Sequence, residues 1–107
     1  MTIQFNTGNN ISGSEKVVTP LVALLSEQLN RFKNRITRIE VHLSNENGLN
    51  EGFDDIKCLI EARIERRHPI AITHHANTYK LAVTGATEKL ISLLDKMADR
   101  LKQQLKG

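Results

Sequence analysis

Apolar and polar residues alternate along several short segments of the chain, and this period of two is typical of half-buried β-strands. The pattern predicts a first strand over residues 2–6, a second over 36–44 and a third over 56–66. A turn at His68 and Pro69 then leads into a fourth strand over 70–73. The positions expected to face the core in the second and third strands are Ile39, Val41 and Leu43, and Ile56, Cys58, Ile60, Ala62 and Ile64.

Two further segments repeat apolar residues every three or four positions, which predicts amphipathic helices. The first helix covers roughly residues 15–33. Pro20 leaves its start open, because the helix either includes an interior proline or begins at Pro20 with Thr19 as its cap. The second helix is capped by Asn77 or Thr78 and continues for about 28 residues, or about 42 Å, so we expect it to project past the sheet.

The predicted order of elements is β-α-β-β-β-α. Strands two to four are joined directly and should run antiparallel, whereas strands one and two are joined through a helix and should be parallel. Both helices need the inner face of the sheet. The sequence therefore predicts an α+β fold: a two-layer sandwich of a four-stranded mixed sheet with two helices on one face, in a single domain over 1–107.

Composition narrows the class of protein. Apolar residues make up 39% of the 107 residues and only four are aromatic, so the core must be aliphatic. The single cysteine, Cys58, excludes an intrachain disulfide and a cysteine-rich zinc site, which fits a reducing compartment. The first residues do not resemble a signal peptide, and no apolar run is long enough to span a bilayer. We therefore expect a cytoplasmic protein without a membrane partner.

Charge is unevenly distributed although the net charge is only +3. Residues 31–38 carry four basic side chains and no acid, whereas 46–55 carry four acids and no base. The predicted topology brings the end of the first helix, the turn between strands three and four and the end of the last helix to one pole of the molecule. The basic residues gathered at this basic pole are Arg31, Lys33, Arg35, Arg66, Arg67, Arg100, Lys102 and Lys106.

The last helix extends the basic surface. At about 100° per residue, Lys89, Lys96 and Arg100 lie on one flank of its apolar stripe. The acidic residues Glu88, Asp95 and Asp99 are expected on the far side. A cationic surface of this extent suits phosphate contacts, although solvated surface charge is the ordinary explanation for any single residue. Because exposed aromatic residues are scarce, recognition of structured RNA is favoured over base stacking.

Signals for enzymatic chemistry are weak. The segment 8–14 has glycine spacing reminiscent of a phosphate-binding loop, but the lysine that reaches the phosphates is missing. Adjacent His74 and His75 point to opposite faces of a strand, and the third strand separates His42 from them, so we predict no metal site. Cys58 is expected to be a buried and inert thiol. We predict no enzyme, no cofactor and no small-molecule substrate.

The sequence as a whole resembles one known family. The stretches that carry the resemblance are residues 3–11 (IQFNTGNNI), 31–43 (RFKNRITRIEVHL), 58–63 (CLIEAR) and 69–76 (PIAITHHA), followed by the long terminal helix. They resemble the ribosome hibernation promoting factor and ribosome-associated inhibitor A family, once called sigma-54 modulation proteins, in its short form. The fold predicted above is the fold of that family.

The resemblance implies a translation inhibitor and hibernation factor that binds 16S rRNA in the decoding channel of the small ribosomal subunit, as part of a stress response. It implies that the rRNA-contacting residues are Lys33, Arg35, Lys89, Lys96, Arg100 and Lys102. This chain departs from the best-known short members, because its last helix carries acids and lacks both their dense lysine run and the aspartate-tyrosine pattern at its start. We expect the dimerisation domain of the long members to be absent.

Two alternative functions remain open at this point. The first is a protein-interaction regulator that docks through the open sheet face or an edge strand. The second is a general binder of double-stranded RNA. The salt dependence of binding distinguishes the protein-interaction regulator from the rRNA binder. Phosphate binding weakens steeply as salt is added, whereas binding through an apolar interface does not.

Overall fold

The computed structural model describes residues 1–8, 14–45 and 56–106, with side chains except those of Ser14 and of 99–106. Both the predicted acidic loop over 46–55 and the glycine-containing loop over 9–13 lie outside the described residues. The elements in chain order are β1 Thr2–Thr7, α1 Ser14–Gln28, a one-turn 3₁₀ helix Asn30–Phe32, β2 Ile36–Asn45, β3 Ile56–Ile64, β4 Ile70–Ala76 and α2 Tyr79–Lys106.

The four strands form one mixed sheet in the order β1-β2-β3-β4. β1 lies parallel to β2, with Phe5 opposite Val41. β2 and β3 are antiparallel, with Val41 opposite Ile60, and β3 and β4 are antiparallel, with Ile60 opposite Ile72. This arrangement confirms the predicted fold class and the predicted direction of every strand pair.

A single aliphatic layer fills the space between the sheet and the helices. The inward positions predicted for β2 and β3 are all buried. They belong to one apolar cluster with residues of both helices, which places α1 and α2 on the same face of the sheet. The helix residues buried in this cluster are Leu21, Leu25 and Leu29 from α1 and its end, and Ala82, Val83, Ala86, Leu90 and Leu94 from α2.

The first helix differs from the prediction at both ends. It begins at Ser14 and contains Pro20, so the alternative start at Pro20 is wrong. Pro20 lacks the N–H that would bond to the Lys16 carbonyl within the helix, and both residues are exposed. The helix ends at Gln28 because Leu29 leaves the helical conformation (φ −95°, ψ 3°), and the chain tightens into the 3₁₀ turn instead of continuing to residue 33.

The last strand and helix follow the predicted pattern closely. β4 extends to Ala76, three residues beyond the predicted end. Thr78 is the residue that caps α2, since its Oγ1 accepts a hydrogen bond from the Leu81 N–H at 3.1 Å. The 28 residues of α2 span about 42 Å, whereas the ten residues of β2 span about 33 Å. The helix is therefore longer than the sheet that it crosses.

His74 is the one histidine that faces the helix layer. It lies opposite inward-facing Cys58 in the sheet register. Its ring fits against Gly85 of α2 so closely that a Cβ on Gly85 would overlap the ring. Glycine at this helical position therefore permits the close approach of α2 to β4.

We expect Gly85→Ala to destabilise the chain in one background and stabilise it in another. With His74 present, the added methyl displaces the ring and costs roughly 1–3 kcal/mol. In a His74→Ala background the same change should gain about 1 kcal/mol from helix propensity. Chemical denaturation of the four proteins of this double-mutant cycle measures the coupling, and the same sign in both backgrounds would contradict the packing described here.

We also expect Cys58 to resist modification in the folded chain. Burial raises the pKa of its thiol from 9.0 to about 12. The native protein should therefore react slowly with a thiol reagent at pH 8 and rapidly once unfolded. Between pH 9 and 12 the unfolded chain binds fewer protons at this thiol than the folded chain, so stability should fall as pH rises through this window. A Cys58→Ala variant should lack that part of the pH slope.

Candidate nucleic-acid interface

Three basic residues line one groove at the predicted basic pole. Arg35 precedes β2, Arg66 and Arg67 form the turn between β3 and β4, and all three border a groove of about 960 Å³. Leu93 and Met97 of α2 and the strand residues Ile64 and Ile70 contribute its apolar wall, and Glu65 is its one carboxylate among the described residues. The topology thus brings together residues 31 positions apart in sequence. We call this the pole groove.

Backbone hydrogen bonds fix the two segments that carry these arginines. The Glu65 N–H donates to the Arg35 carbonyl at 2.8 Å, which joins the start of β2 to the end of β3. The turn is closed by the Arg67 N–H, which donates to the Ile64 carbonyl at 3.1 Å. Arg66 has a left-handed backbone (φ 63°), a conformation that glycine adopts more readily. The strained turn aims successive arginines outward, where both are exposed.

Arg31 is less available for phosphate contacts than the sequence suggested, because it already has an acidic partner. Its guanidinium forms two hydrogen bonds of 3.0 Å with the Asp95 carboxylate of α2. The same group lies 4.3 Å from the centre of the Phe32 ring. This pair joins the 3₁₀ turn to α2 and neutralises one charge of the basic pole. Sequence reasoning placed Asp95 on the far side of α2 and missed the pair, because 64 positions separate the partners.

A second groove, of about 870 Å³, runs between α2 and β4. Lys89 and Lys96 line it, as predicted for one flank of α2. Glu88 lines the same groove, so its predicted place on the opposite side of the helix is wrong. Lys89 Nζ also donates a hydrogen bond of 3.1 Å to the Thr73 carbonyl of β4. We call this the edge groove, and it adjoins the pole groove because Leu93 lines both.

The remaining predicted RNA-binding residues are placed only in part. Lys33 is exposed directly after the 3₁₀ turn. Arg100 and Lys102, and Lys106 of the basic pole, lie on the last turns of α2, and their side chains are outside the described residues.

The outer sheet face holds a polar cluster that the sequence analysis missed. Glu40 lies opposite Glu61 across β2 and β3, and His42 lies one pleat along from Glu40 on the same face. His42 Nε2 is 3.3 Å from a Glu61 carboxylate oxygen and 3.9 Å from one of Glu40. Strand alternation showed these residues facing outward, but only the register between the strands brings the two glutamates together.

Comparisons with known proteins agree with this geometry. The family described as "Sigma 54 modulation protein / S30EA ribosomal protein" matches residues 4–106. The chain belongs to this family. A search of curated proteins found no significant match. Membership in the sigma-54 modulation family confirms the resemblance read from the sequence and indicates association with the ribosome, in a family not known for enzymatic activity.

Solved structures share the fold at low sequence identity. One is a ribosomal subunit interface protein from Coxiella burnetii, at 18% identity and a TM-score of 0.67, with 92% of this chain and 99% of that chain covered. Another is the N-terminal domain of Protein Y from Thermus thermophilus, at 15% identity and a TM-score of 0.62, with 91% and 99% covered. At such identities the likeness establishes the fold alone. Within the described residues, no helix is both long and apolar enough to cross a membrane.

We expect Asp95→Asn to lower the free energy of unfolding by at most about 1 kcal/mol, because exposed ion pairs stabilise proteins little. The Arg31 and Asp95 side chains are 60% and 46% exposed. Urea denaturation at low and high salt measures the effect, which should shrink as salt screens the pair. Glu88→Gln, an equal charge change on the same helix, is the control. A loss of several kcal/mol in Asp95→Asn alone would show that the pair is a structural clamp.

Proposed function

We propose that the protein binds 16S rRNA of the small ribosomal subunit in the decoding channel and inhibits translation by occupancy, as a hibernation factor in the cytoplasm. The observation that carries this proposal is the pole groove, in which Arg35, Arg66 and Arg67 converge beside α2. Family membership supports the ribosome as the partner. Binding of this kind stabilises an inactive state by mass action and needs no reacting group.

The chemistry of the pole groove suits a folded RNA backbone. Arginine offers a planar set of N–H donors that can contact a phosphate with two parallel hydrogen bonds. Half-buried Leu93 and Met97 form an apolar wall beside the arginines, so the groove combines a cationic side with an apolar one. Among the described residues, no phenylalanine, tyrosine or tryptophan lines the groove, and exposed His68 is the one aromatic ring there on which a base could stack. These features favour recognition of phosphates over recognition of bases.

The two adjoining grooves give the interface its length. Lys96 and Lys89 continue the basic surface from the pole groove along α2. Each groove also contains one glutamate, Glu65 or Glu88, and keeps a net positive charge. We expect Lys89 to contribute less than Lys96, because its ammonium group already donates to Thr73. Lys33, Arg100 and Lys102 extend the proposed contact surface, whereas Arg31 must leave Asp95 to join it.

Co-sedimentation with ribosomes and isolated subunits tests this proposal. We expect wild-type protein to migrate with the small subunit at low salt and to be released as salt rises. A variant combining Arg66→Gly and Arg67→Glu should bind roughly tenfold more weakly or worse, because hydrogen bonds to charged groups contribute about 1.5–3 kcal/mol each. Glycine suits the left-handed backbone at position 66, so this variant removes charge without straining the turn.

Lys16→Glu is the control for charge reversal elsewhere, because Lys16 is exposed near the start of α1, at the end of the molecule away from the pole groove. It should bind like the wild type. The proposal would be overturned if the wild-type protein did not co-migrate with the small subunit at any salt concentration, or if Lys16→Glu weakened binding as much as the arginine variant does. Salt-insensitive binding would point to a protein interface. Equally tight binding to a plain RNA duplex without ribosomes would identify a general duplex binder.

A further inference from the structure

The cluster of Glu40, His42 and Glu61 lies on the sheet face opposite the helices, apart from the proposed RNA-binding grooves. Glu40 and Glu61 lie directly opposite each other on neighbouring strands, where like charges repel, and Arg38 forms an ion pair of 2.9 Å with Glu40. With His42 beside the two glutamates, the cluster offers one imidazole and two carboxylates, which is a ligand set for transition metals. All three side chains come from the two central strands, which hold their Cα positions rigidly.

The distances fit a small divalent ion. One ligand atom from each residue can be chosen so that all three lie within 4.8 Å of one another. His42 Nε2 and Glu61 Oε1 are 3.3 Å apart, and His42 Nε2 and Glu40 Oε2 are 3.9 Å apart. Ligands of a tetrahedral zinc ion with bonds of about 2.0–2.1 Å are separated by roughly 3.3–3.4 Å. The pair of His42 and Glu61 already has this separation, and the Glu40 carboxylate must approach His42 by about 0.5 Å to reach it.

Neighbouring side chains already orient two of the three ligands. Arg38 Nε donates to Glu40 Oε1 at 2.9 Å, which leaves Oε2, the oxygen on the His42 side, for an ion. Asn6 Nδ2 lies 3.4 Å from His42 Nδ1, and the amide can serve either tautomer of the ring by rotating. Contacts of this kind fix the ring and carboxylate of metal ligands and raise metal affinity.

The other imidazole nitrogen, Nε2, contacts the Glu61 carboxylate without forming a hydrogen bond. His42 Nε2 is shielded from solvent, yet it makes no hydrogen bond with the described part of the chain despite its closeness to Glu61. Leaving a shielded polar atom unpaired is costly, and a metal ion would satisfy it. The shielded nitrogen thus adds a third ligand atom, without a hydrogen bond of its own, beside the two carboxylates.

We propose that Glu40, His42 and Glu61 bind a divalent transition-metal ion of the zinc class, with water at the fourth position. Imidazole and carboxylate ligands suit Zn²⁺, Co²⁺ and Ni²⁺, whereas Mg²⁺ prefers oxygen ligands alone. The site does not involve the thiol of Cys58, which is buried on the other face of the sheet. The bound ion would link β2 to β3 and neutralise the facing glutamates.

Titration of the full chain with Zn²⁺ by calorimetry, in a buffer that does not chelate metals, tests the proposal. We expect one ion per chain, a higher Tm with bound Zn²⁺, and visible absorption of tetrahedral type with Co²⁺. His42→Gln and Glu61→Gln should each lower the affinity more than tenfold, because the loss of even an outer-shell partner costs 10–100-fold. His75→Gln is the matched control, being a histidine on the same sheet face outside the cluster, and should bind as the wild type does.

Three results would overturn the proposal: no binding of Zn²⁺ or Co²⁺, binding unchanged in His42→Gln, or equal weakening in the control. The glutamine variants preserve side-chain size and strand pairing, and their circular dichroism and Tm without metal report whether they are folded. The metal site does not depend on the proposed rRNA contact. Co-sedimentation of His42→Gln with small subunits keeps the two questions separate, because failure to bind zinc leaves ribosome binding intact.

Discussion

Burial of aliphatic side chains between the sheet and the two helices is the interaction on which the rest of the molecule depends. Each fully buried leucine, isoleucine or valine contributes roughly 1.5–3 kcal/mol relative to exposure. Because side chains alternate along a strand, a register shift of one residue would turn Ile39, Val41 and Ile60 out of this layer. The core therefore fixes the register of β2 against β3. The positions of all polar groups on the outer face follow from that register.

The same constraint organises the charged end of the molecule. Packing α2 across β3 and β4 determines where Leu93 and Met97 lie, and they form one wall of the pole groove. The hydrogen bond between Glu65 and Arg35 then holds the two arginine-bearing segments together on the other side. The proposed contact with RNA depends on these elements and needs no catalytic geometry. The outer face, in contrast, carries acids and bases in close pairs, and its ligand geometry comes from the central strands.

Much of the fold could be predicted from the sequence because its signals are local. Alternation marked three strands, apolar spacing marked two helices, and the connections determined the direction of each strand pair. The end of α1 could not be predicted, since nothing in its apolar stripe shows that Leu29 leaves the helix. The convergence of Arg35, Arg66 and Arg67 followed from topology alone. The pairing of Arg31 with Asp95 and the meeting of Glu40 with Glu61 depend on side-chain reach and exact register, which a single sequence does not show.

The hydrogen bond from Lys89 to the Thr73 carbonyl occupies one backbone acceptor on the outer edge of β4. β4 is an outermost strand, and an exposed strand edge is a template on which another chain can add by backbone pairing. A lysine held against that edge obstructs such growth, because an incoming strand would have to displace the ammonium group or bury its charge. At Thr73, then, the β4 edge already has a partner, and it comes from the helix that also carries part of the basic surface.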